Sequence, residues 1–112
     1  MIFYGNHLFT SLNIPSKLIK YDLVTQKIVR TANTEKLPRT IAISKDGQVI
    51  FVVCYKGDYL QAFSADNLAL LGKWQSRVHP VCVDVYQEGD IIEAWVGNHS
   101  SGTLKVFTFR KK

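Results

Sequence analysis

The sequence predicts an all-β fold assembled from a repeated unit of short strands, and three observations lead to this prediction. Turn signals rich in Gly, Asn and Asp recur at intervals of about 8 to 12 residues, a spacing typical of all-β domains. No window places apolar residues at helical spacing between capping residues, so no helix is expected. The third observation is a repeat, which Pro38 and Pro80 mark at positions 42 residues apart.

The repeat is centred on residues 38–63, where three apolar runs are separated by a Lys-Asp-Gly turn and a Lys-Gly-Asp turn. At an offset of 42, Ile41 aligns with Val83 and Gly47 aligns with Gly89. A period in the low forties with about four short strands per period indicates the blades of a β-propeller.

The N-terminal strands are less regular than those that follow. Ile2–Tyr4 is predicted as a brief strand that runs into a loop. Residues 8–16 contain Asn13 and Pro15 and are predicted as a loop. Two strands follow, at residues 18–23 and 27–31.

Pro38 lacks an N–H group, which suits the beginning of a strand rather than its middle. Asp46 and Gly47 tolerate the positive φ of a tight hairpin. Residues 49–54 are apolar without alternation, so this strand should be covered on both faces. The strands from here to the C-terminus are predicted at residues 40–44, 49–54, 59–63, 68–75, 81–85, 91–96 and 103–109.

A chain of 112 residues forms one domain at most. With strands labelled a to d from the propeller axis outward, residues 1–37 supply strands b, c and d, residues 38–79 a complete blade, and residues 80–112 strands a, b and c. Complete propellers have about four to eight blades. We therefore expect a partial propeller that is the C-terminal part of a longer one, pairs with missing blades, or self-associates.

The repeat resembles the YVTN family of β-propellers, which includes surface-layer-protein-like and lactonase-like members. Residues 38–47 match its P-x-x-I-A-I-S-x-D-G segment, and residues 51–63 and 95–107 match the Y-V-T-N-Y-G-S segment that follows. Residues 3–6 match the start of that second segment, and residues 22–28 match its D-x-x-T-x-x-V segment. Cys54 departs from the pattern because it replaces the motif Asn, whereas Asn98 retains it.

The resemblance implies that the b–c loops and the d–a connections lie on one face of the propeller, where ligands bind. Loop residues on a rigid scaffold often carry function. On this rule eight polar residues are candidate ligand-binding residues: Asn6, His7, Lys56, Asp58, Arg77, His79, Asn98 and His99.

Three interpretations of these residues stay open. Asn and Gly in such loops form turns through side-chain hydrogen bonds and left-handed backbone conformations. The same residues could form a polar site for a protein or a small molecule, and three histidines on one face could hold a metal. The cysteine and histidine spacing gives no zinc signature, and we expect neither a metal site nor a cofactor.

Composition narrows the function classes. The net charge of +5 is scattered along the chain, which indicates a basic surface rather than nucleic-acid binding. No apolar run is long enough for a membrane span, and the N-terminus does not resemble a signal peptide. The resemblance implies a periplasmic or extracellular location if the parent protein is exported. Cys54 and Cys82 lie in apolar runs and are expected to be buried free thiols, although spacing does not exclude a disulfide.

Two functions remain in view. No acid, base and nucleophile form a recognisable set, since Ser100 and Ser101 near His99 have no orienting carboxylate beside them. This favours a scaffold or binding module that presents its loop face to a protein, a polymer or a small ligand. The alternative is a fragment of a propeller enzyme, lactonase-like or a cofactor-dependent oxidoreductase, whose active site lies largely in absent blades.

Overall fold

The computed structural model describes residues 1–76, 79–99 and 102–110, and these form eleven β-strands in three antiparallel sheets. The all-β prediction is confirmed. Among the described residues there is no helix long and apolar enough to cross a membrane. Each sheet is a meander in which consecutive strands pair, which is the arrangement of a propeller blade.

Blade 1 contains four strands rather than the expected three. They are β1 (Ile2–Tyr4), β2 (His7–Leu12), β3 (Lys17–Asp22) and β4 (Lys27–Asn33), in that spatial order. The segment predicted as a loop at residues 8–16 therefore contains β2, and β1 takes the inner position a.

Asn13 and Pro15 do lie in a turn, but this turn is only the short connection from β2 to β3. The 42-residue offset contains the correct assignment, because it aligns Phe9 with Phe51 and Leu18 with Leu60. The match of residues 3–6 to the start of a strand b was therefore wrong. Those residues belong to β1 and to the turn that follows it.

Blade 2 contains β5 (Pro38–Ile43), β6 (Val49–Cys54), β7 (Tyr59–Ser64) and β8 (Leu70–Gln75). All six residues of β6 are buried, as its uninterrupted apolar sequence predicted. Gly47 has a φ of 74° in the β5–β6 turn, and the Tyr4 ring of blade 1 lies against its Cα. A side chain at this position would collide with that ring, so the turn requires glycine both for its backbone and for its contact.

Blade 3 contains β9 (Pro80–Glu88), β10 (Ile91–Asn98) and β11 (Thr103–Arg110). The spatial order of its strands is β11-β10-β9, so β11 forms the outer edge of this sheet among the described residues. Residues on β11 are mostly exposed, and only Phe107 and Phe109 are half-buried.

Two hydrophobic clusters hold the blades together, one on each face of blade 2. Phe9 and Leu18 of blade 1 pack against Ile50, Val52 and other residues of blade 2. On the opposite face of blade 2, the second cluster joins blade 2 to blade 3. Its residues are Val49, Phe51, Val53, Leu60, Ala62, Val83, Ile92, Ala94 and Val96. The core is therefore two interfaces between sheets, with blade 2 shared by both.

Polar contacts also join blade 2 to blade 3. The Thr40 hydroxyl donates to the carbonyl of Val81 at 2.8 Å. The Gln87 side chain accepts from the Asp46 backbone N–H at 3.1 Å and donates to the Asp46 carboxylate at 2.9 Å. These bonds link strand β5 and its turn to strand β9.

The two cysteines differ in their surroundings. Neither is in a disulfide, and Cys54 is buried whereas Cys82 is exposed. The expected burial of Cys82 was wrong because successive strand residues point to opposite faces. Val83 faces the core of the second cluster, so Cys82 lies on the outward face of blade 3.

The two tryptophans also differ. Trp74 is half-buried, and its ring lies 6.3 Å from that of Phe107 and 6.1 Å from that of Phe109, so it packs between blades 2 and 3. Trp95 is 42% exposed on the outward face of blade 3, and its indole N–H donates to Glu93 at 3.2 Å.

Candidate functional site

The connections between strands fall on two opposite ends of the sheets. We call the end with the β2–β3, β6–β7 and β10–β11 loops and the β4–β5 and β8–β9 connections the upper loop face. Backbone bonds join these segments, from Tyr55 N–H to the Leu37 carbonyl at 2.9 Å and from Gly57 N–H to the Lys36 carbonyl at 3.2 Å. The end that carries the remaining turns is the lower turn face.

Two of the eight candidate residues lie on the lower turn face, which corrects the expectation that all share one rim. Asn6 is in the β1–β2 turn and His7 begins β2. The Asn6 carbonyl accepts from Leu23 N–H at 2.8 Å, and His7 Nε2 lies 3.9 Å from the Asp22 carboxylate. The extra strand β2 explains the error, because each added antiparallel strand reverses the end at which the chain turns.

His79 is the centre of the contacts on the upper loop face. Its ring stacks on Tyr55 with centroids 4.4 Å apart and an interplanar angle of 16°. His79 Nδ1 lies 3.1 Å from the Tyr55 carbonyl oxygen and 3.2 Å from Asp58 Oδ1. Since both neighbours are acceptors, Nδ1 carries the proton and Nε2 is the acceptor of the neutral ring.

Asp58 reaches this position through an unusual backbone conformation. Its φ is 58°, in the left-handed region that Asp tolerates better than most residues. Its carbonyl accepts from Ser76 N–H at 2.8 Å, which ties the β6–β7 loop to the end of β8. Oδ1 accepts no hydrogen bond from the described residues, and its contact with His79 Nδ1 at 3.2 Å is electrostatic.

Asn98 completes the same rim from blade 3. Its side chain is buried, and its Oδ1 has no hydrogen-bond partner among the described residues. The buried Ser76 hydroxyl is in the same condition. His99 N–H donates to the His79 carbonyl at 3.1 Å, which joins the blade 3 loop to the β8–β9 connection. Buried polar atoms of this kind are costly unless a partner satisfies them.

The remaining candidates surround this centre or lie apart from it. His99 is exposed beside Asn98. Lys56 lies toward blade 1, where it lines a groove of about 390 Å³ together with Lys36 and the β2–β3 loop. Arg77 lies outside the described residues.

Two contributors to this face were missed by the sequence analysis. Tyr55 supplies both the stacking surface and the carbonyl for His79, and the Arg39 guanidinium lies 5.2 Å from the Tyr55 ring centroid. Tyr55 directly follows the buried strand β6, and an aromatic residue at the first position of a loop was the available signal. Arg39 is on β5, and only the folded sheet brings it to Tyr55.

The groups that this cluster presents follow from its described residues. Within residues 1–76, 79–99 and 102–110, no three His, Cys, Asp or Glu side chains form a group that could hold a metal ion. The cluster offers a stacked imidazole and a carboxylate, whose side chains are 42% and 29% exposed and can contact a polar partner.

Comparison with solved structures shows the fold. The chain is similar to hydrazine synthase from Kuenenia stuttgartiensis, with a TM-score of 0.82 and 18% identity over 95% of this chain and 32% of that one. It is also similar to the β-propeller domain of Cps50 (Swd1) from Myceliophteria thermophila, with a TM-score of 0.69 and 11% identity over 93% and 35% of the two chains.

The WD40 repeats of RRP9 match with a TM-score of 0.70 and 12% identity, over 94% of this chain and 35% of that one. These likenesses establish that the three sheets are β-propeller blades. The chain spans about a third of the length of each of these structures. No family model matches the sequence, and no curated protein matches it either.

Proposed function

We propose that this chain is a β-propeller scaffold or binding module that presents its upper loop face to a protein, a polymer or a small polar ligand. We also infer that its blades are of the YVTN type, since residues 38–47 and 51–63 follow that pattern through strands β5, β6 and β7.

One observation carries the proposal. The loops of blades 2 and 3 converge on His79, where the Tyr55 ring, the Asp58 carboxylate and the Asn98 amide meet at one rim. The likeness to WD40 propeller domains is consistent with a module that binds a protein. The His79 and Asp58 side chains are 42% and 29% exposed, so the polar groups of a peptide or protein can reach them.

The enzyme alternative has less support. By its name, hydrazine synthase is an enzyme, but at 18% identity the likeness concerns the fold alone. Among the described residues, no hydroxyl or thiol is hydrogen-bonded to the His79 imidazole that contacts Asp58. An enzymatic role would therefore need residues from other blades.

A binding experiment tests the proposal. A panel of short basic, acidic and aromatic peptides is titrated into the ¹⁵N-labelled chain. We expect bound peptides to shift the amides of residues 55–58, His79 and Asn98. His79→Ala should weaken binding by about tenfold or more, since it removes the stacked ring and the charge contact together. Tyr86→Ala, which removes an exposed ring near the lower turn face and outside the cavity there, is the matched control and should bind as the wild type does.

The proposal is wrong if the shifts fall only on the lower turn face, or if His79→Ala binds as tightly as Tyr86→Ala. Both variants are first compared with the wild type by their amide spectra, because loss of the fold would remove binding for another reason.

We further infer that the outward faces of blades 1 and 3 are covered by additional blades or by a second copy of the chain. Phe3 and Ile28 are 64% and 58% exposed on blade 1, and Leu104 is 70% exposed on blade 3. Strand β11 also presents an open edge that can pair with another strand. Light scattering of the isolated chain at micromolar concentration should show species above 12.7 kDa, and a monodisperse monomer would contradict this inference.

A further inference from the structure

The lower turn face contains a cavity that the upper-face function does not use. Its volume is about 750 Å³, within the range of small-molecule sites. All three blades line it, because Phe9 and Lys20 come from blade 1, Ser64 from blade 2, and Phe109 and Arg110 from blade 3.

Lys20 is the unusual residue of this cavity. Its side chain lies on β3 and the residue is only 7% exposed. The ammonium donates to the Asp66 carbonyl at 2.8 Å and lies 5.8 Å from the Phe9 ring centroid. It forms no ion pair with a carboxylate among the described residues. An ammonium has three N–H donors, so one carbonyl leaves most of its capacity unused.

A buried cation in this condition requires an explanation. Removing an ammonium from water is costly unless charge or hydrogen bonds compensate for it. The Asp66 carbonyl, the Phe9 face and the attraction of the Asp22 carboxylate, which is beyond ion-pair distance, provide part of that compensation. The unused donors border a cavity large enough for a ligand, and an anion placed there would supply the missing partner.

The remainder of the lining fits the same ligand. Arg110 and His7 add cationic or donor groups at the rim, whereas Asp66 is the acidic residue of the lining and gives its carbonyl to Lys20. Phe9, Phe109, Tyr4, Leu71 and Val49 supply apolar surface. The cavity therefore combines a buried positive charge with mostly apolar walls.

We propose that the lower turn face binds a small organic anion, a carboxylate or a phosphate monoester that carries an apolar body. Lys20 binds the anionic group, and the aromatic rings of the lining contact the apolar body. This site is separate from the upper loop face and does not depend on the function proposed for it.

The test uses phenyl phosphate and benzoate as the two anionic probes. Each is titrated into the ¹⁵N-labelled chain at low salt, with inorganic phosphate and benzyl alcohol as the charge-only and apolar-only controls. We expect at least one of the two anionic probes to bind saturably and to shift the amides of Phe9, Ser64 and Asp66. It should bind about tenfold more tightly than either control, because both parts of the cavity contribute. Whichever probe binds more tightly identifies the anionic group.

Variants at two positions of the cavity, and a control outside it, test whether the cationic side chains cause the binding. Lys20→Met keeps the apolar stem and should weaken binding of the anionic probe by about tenfold or more, whereas Lys20→Arg should retain most of it. Lys73→Met removes an exposed lysine outside the cavity and should have no effect. Arg110→Gln, at the rim, should weaken binding several-fold, and it keeps the proposal testable if Lys20→Met does not fold.

The proposal is overturned if neither anionic probe binds, or if the shifts fall elsewhere on the chain. It is also overturned if benzyl alcohol or inorganic phosphate binds as tightly as the anionic probes, or if a folded Lys20→Met binds as the wild type does. Should Lys20→Met fail to fold, unchanged binding by Arg110→Gln overturns it instead.

Discussion

Blades 2 and 3 share a repeat but differ in how their equivalent residues are buried. Phe51 on β6 and Trp95 on β10 occupy the same position, facing away from the preceding blade. Phe51 is fully buried against blade 3, including an edge-to-face contact with Phe109 at 6.0 Å, whereas Trp95 is 42% exposed. The difference shows that a blade strand gains its burial from the neighbour on each side rather than from its own sequence.

The residues around the two aromatic rings differ accordingly. Phe51 pairs across the sheet with Ala42 and Ala62, small residues that leave room for the next blade. Trp95 pairs with Asp84 and Val106. The outward face of blade 3 therefore mixes polar and apolar groups, as is typical of a surface that is covered less completely than a core.

The largest expected effect comes from a charge on the shared blade. Val52 is fully buried between blades 1 and 2, and Thr10 is its equivalent on the outward side of blade 1. Val52→Asp should lower the free energy of unfolding by about 4 kcal/mol or more, because it buries a charge without a partner. Thr10→Asp should cost about 1 kcal/mol or less. Urea denaturation measures both, and equal losses would show that blade 2 is not the better buried blade.

A smaller difference is expected for the two aromatic residues. Phe51→Ala removes a fully buried ring and should cost about 3 to 4 kcal/mol, part of it from the cavity left behind. Trp95→Ala removes a ring that is already partly in water and should cost about 1 to 2 kcal/mol. Thermal and urea unfolding of both variants, at a protein concentration low enough to prevent self-association, compare the two losses of stability. A larger loss for Trp95→Ala would indicate that its face is covered in solution.

The smallest effect separates the two cysteines. Burial raises the pKa of the Cys54 thiol to about 12 from an ordinary 9.0, with a further contribution from the Glu35 charge. Cys82 is exposed. At pH 8 a thiol reagent should therefore react quickly with Cys82 and with Cys54 only after unfolding, since the thiolate is the reactive form. Two fast-reacting thiols in the native chain would contradict the burial of Cys54.

The same shift gives a pH dependence with a defined sign. The folded chain holds the Cys54 proton more tightly than the unfolded chain does. The contribution of this group to stability is therefore complete below pH 9 and is lost as the pH rises from 9 to about 12. Cys54→Ala should reduce this loss, as measured by urea unfolding across that range.

More of the fold than of the candidate site could be predicted from the sequence. The uninterrupted apolar run of β6 and the 42-residue offset gave the blade class and the burial of Val52. The prediction failed at β2, although the offset aligns Phe9 with Phe51, because the sequence at Asn13 and Pro15 indicates a loop more strongly than His7–Leu12 indicates a strand. Asn6 and His7 were then assigned to the wrong face, since one missed strand reverses every earlier turn.

The remaining site residues depend on contacts between strands or between blades, which local sequence does not encode. Arg39 reaches Tyr55 from a different strand, and Lys20 reaches the Asp66 carbonyl from a different blade. Lys20 also follows an alternating pattern in which a lysine normally indicates an exposed position. Only the placement of blade 2 beside β3 makes it a buried cation.

The polar bonds between blades 2 and 3 have a consequence for symmetry. Thr40, near the start of β5, is hydrogen-bonded to the Val81 carbonyl, and Asp46, beyond the end of β5, is hydrogen-bonded to Gln87. Two separate contacts therefore fix the orientation of blade 3 on blade 2. In a radial array the angle between successive units sets how many units complete a full turn. The contacts of Thr40 and Gln87 therefore set the angle between blades 2 and 3, and in a closed propeller that angle fixes the number of blades.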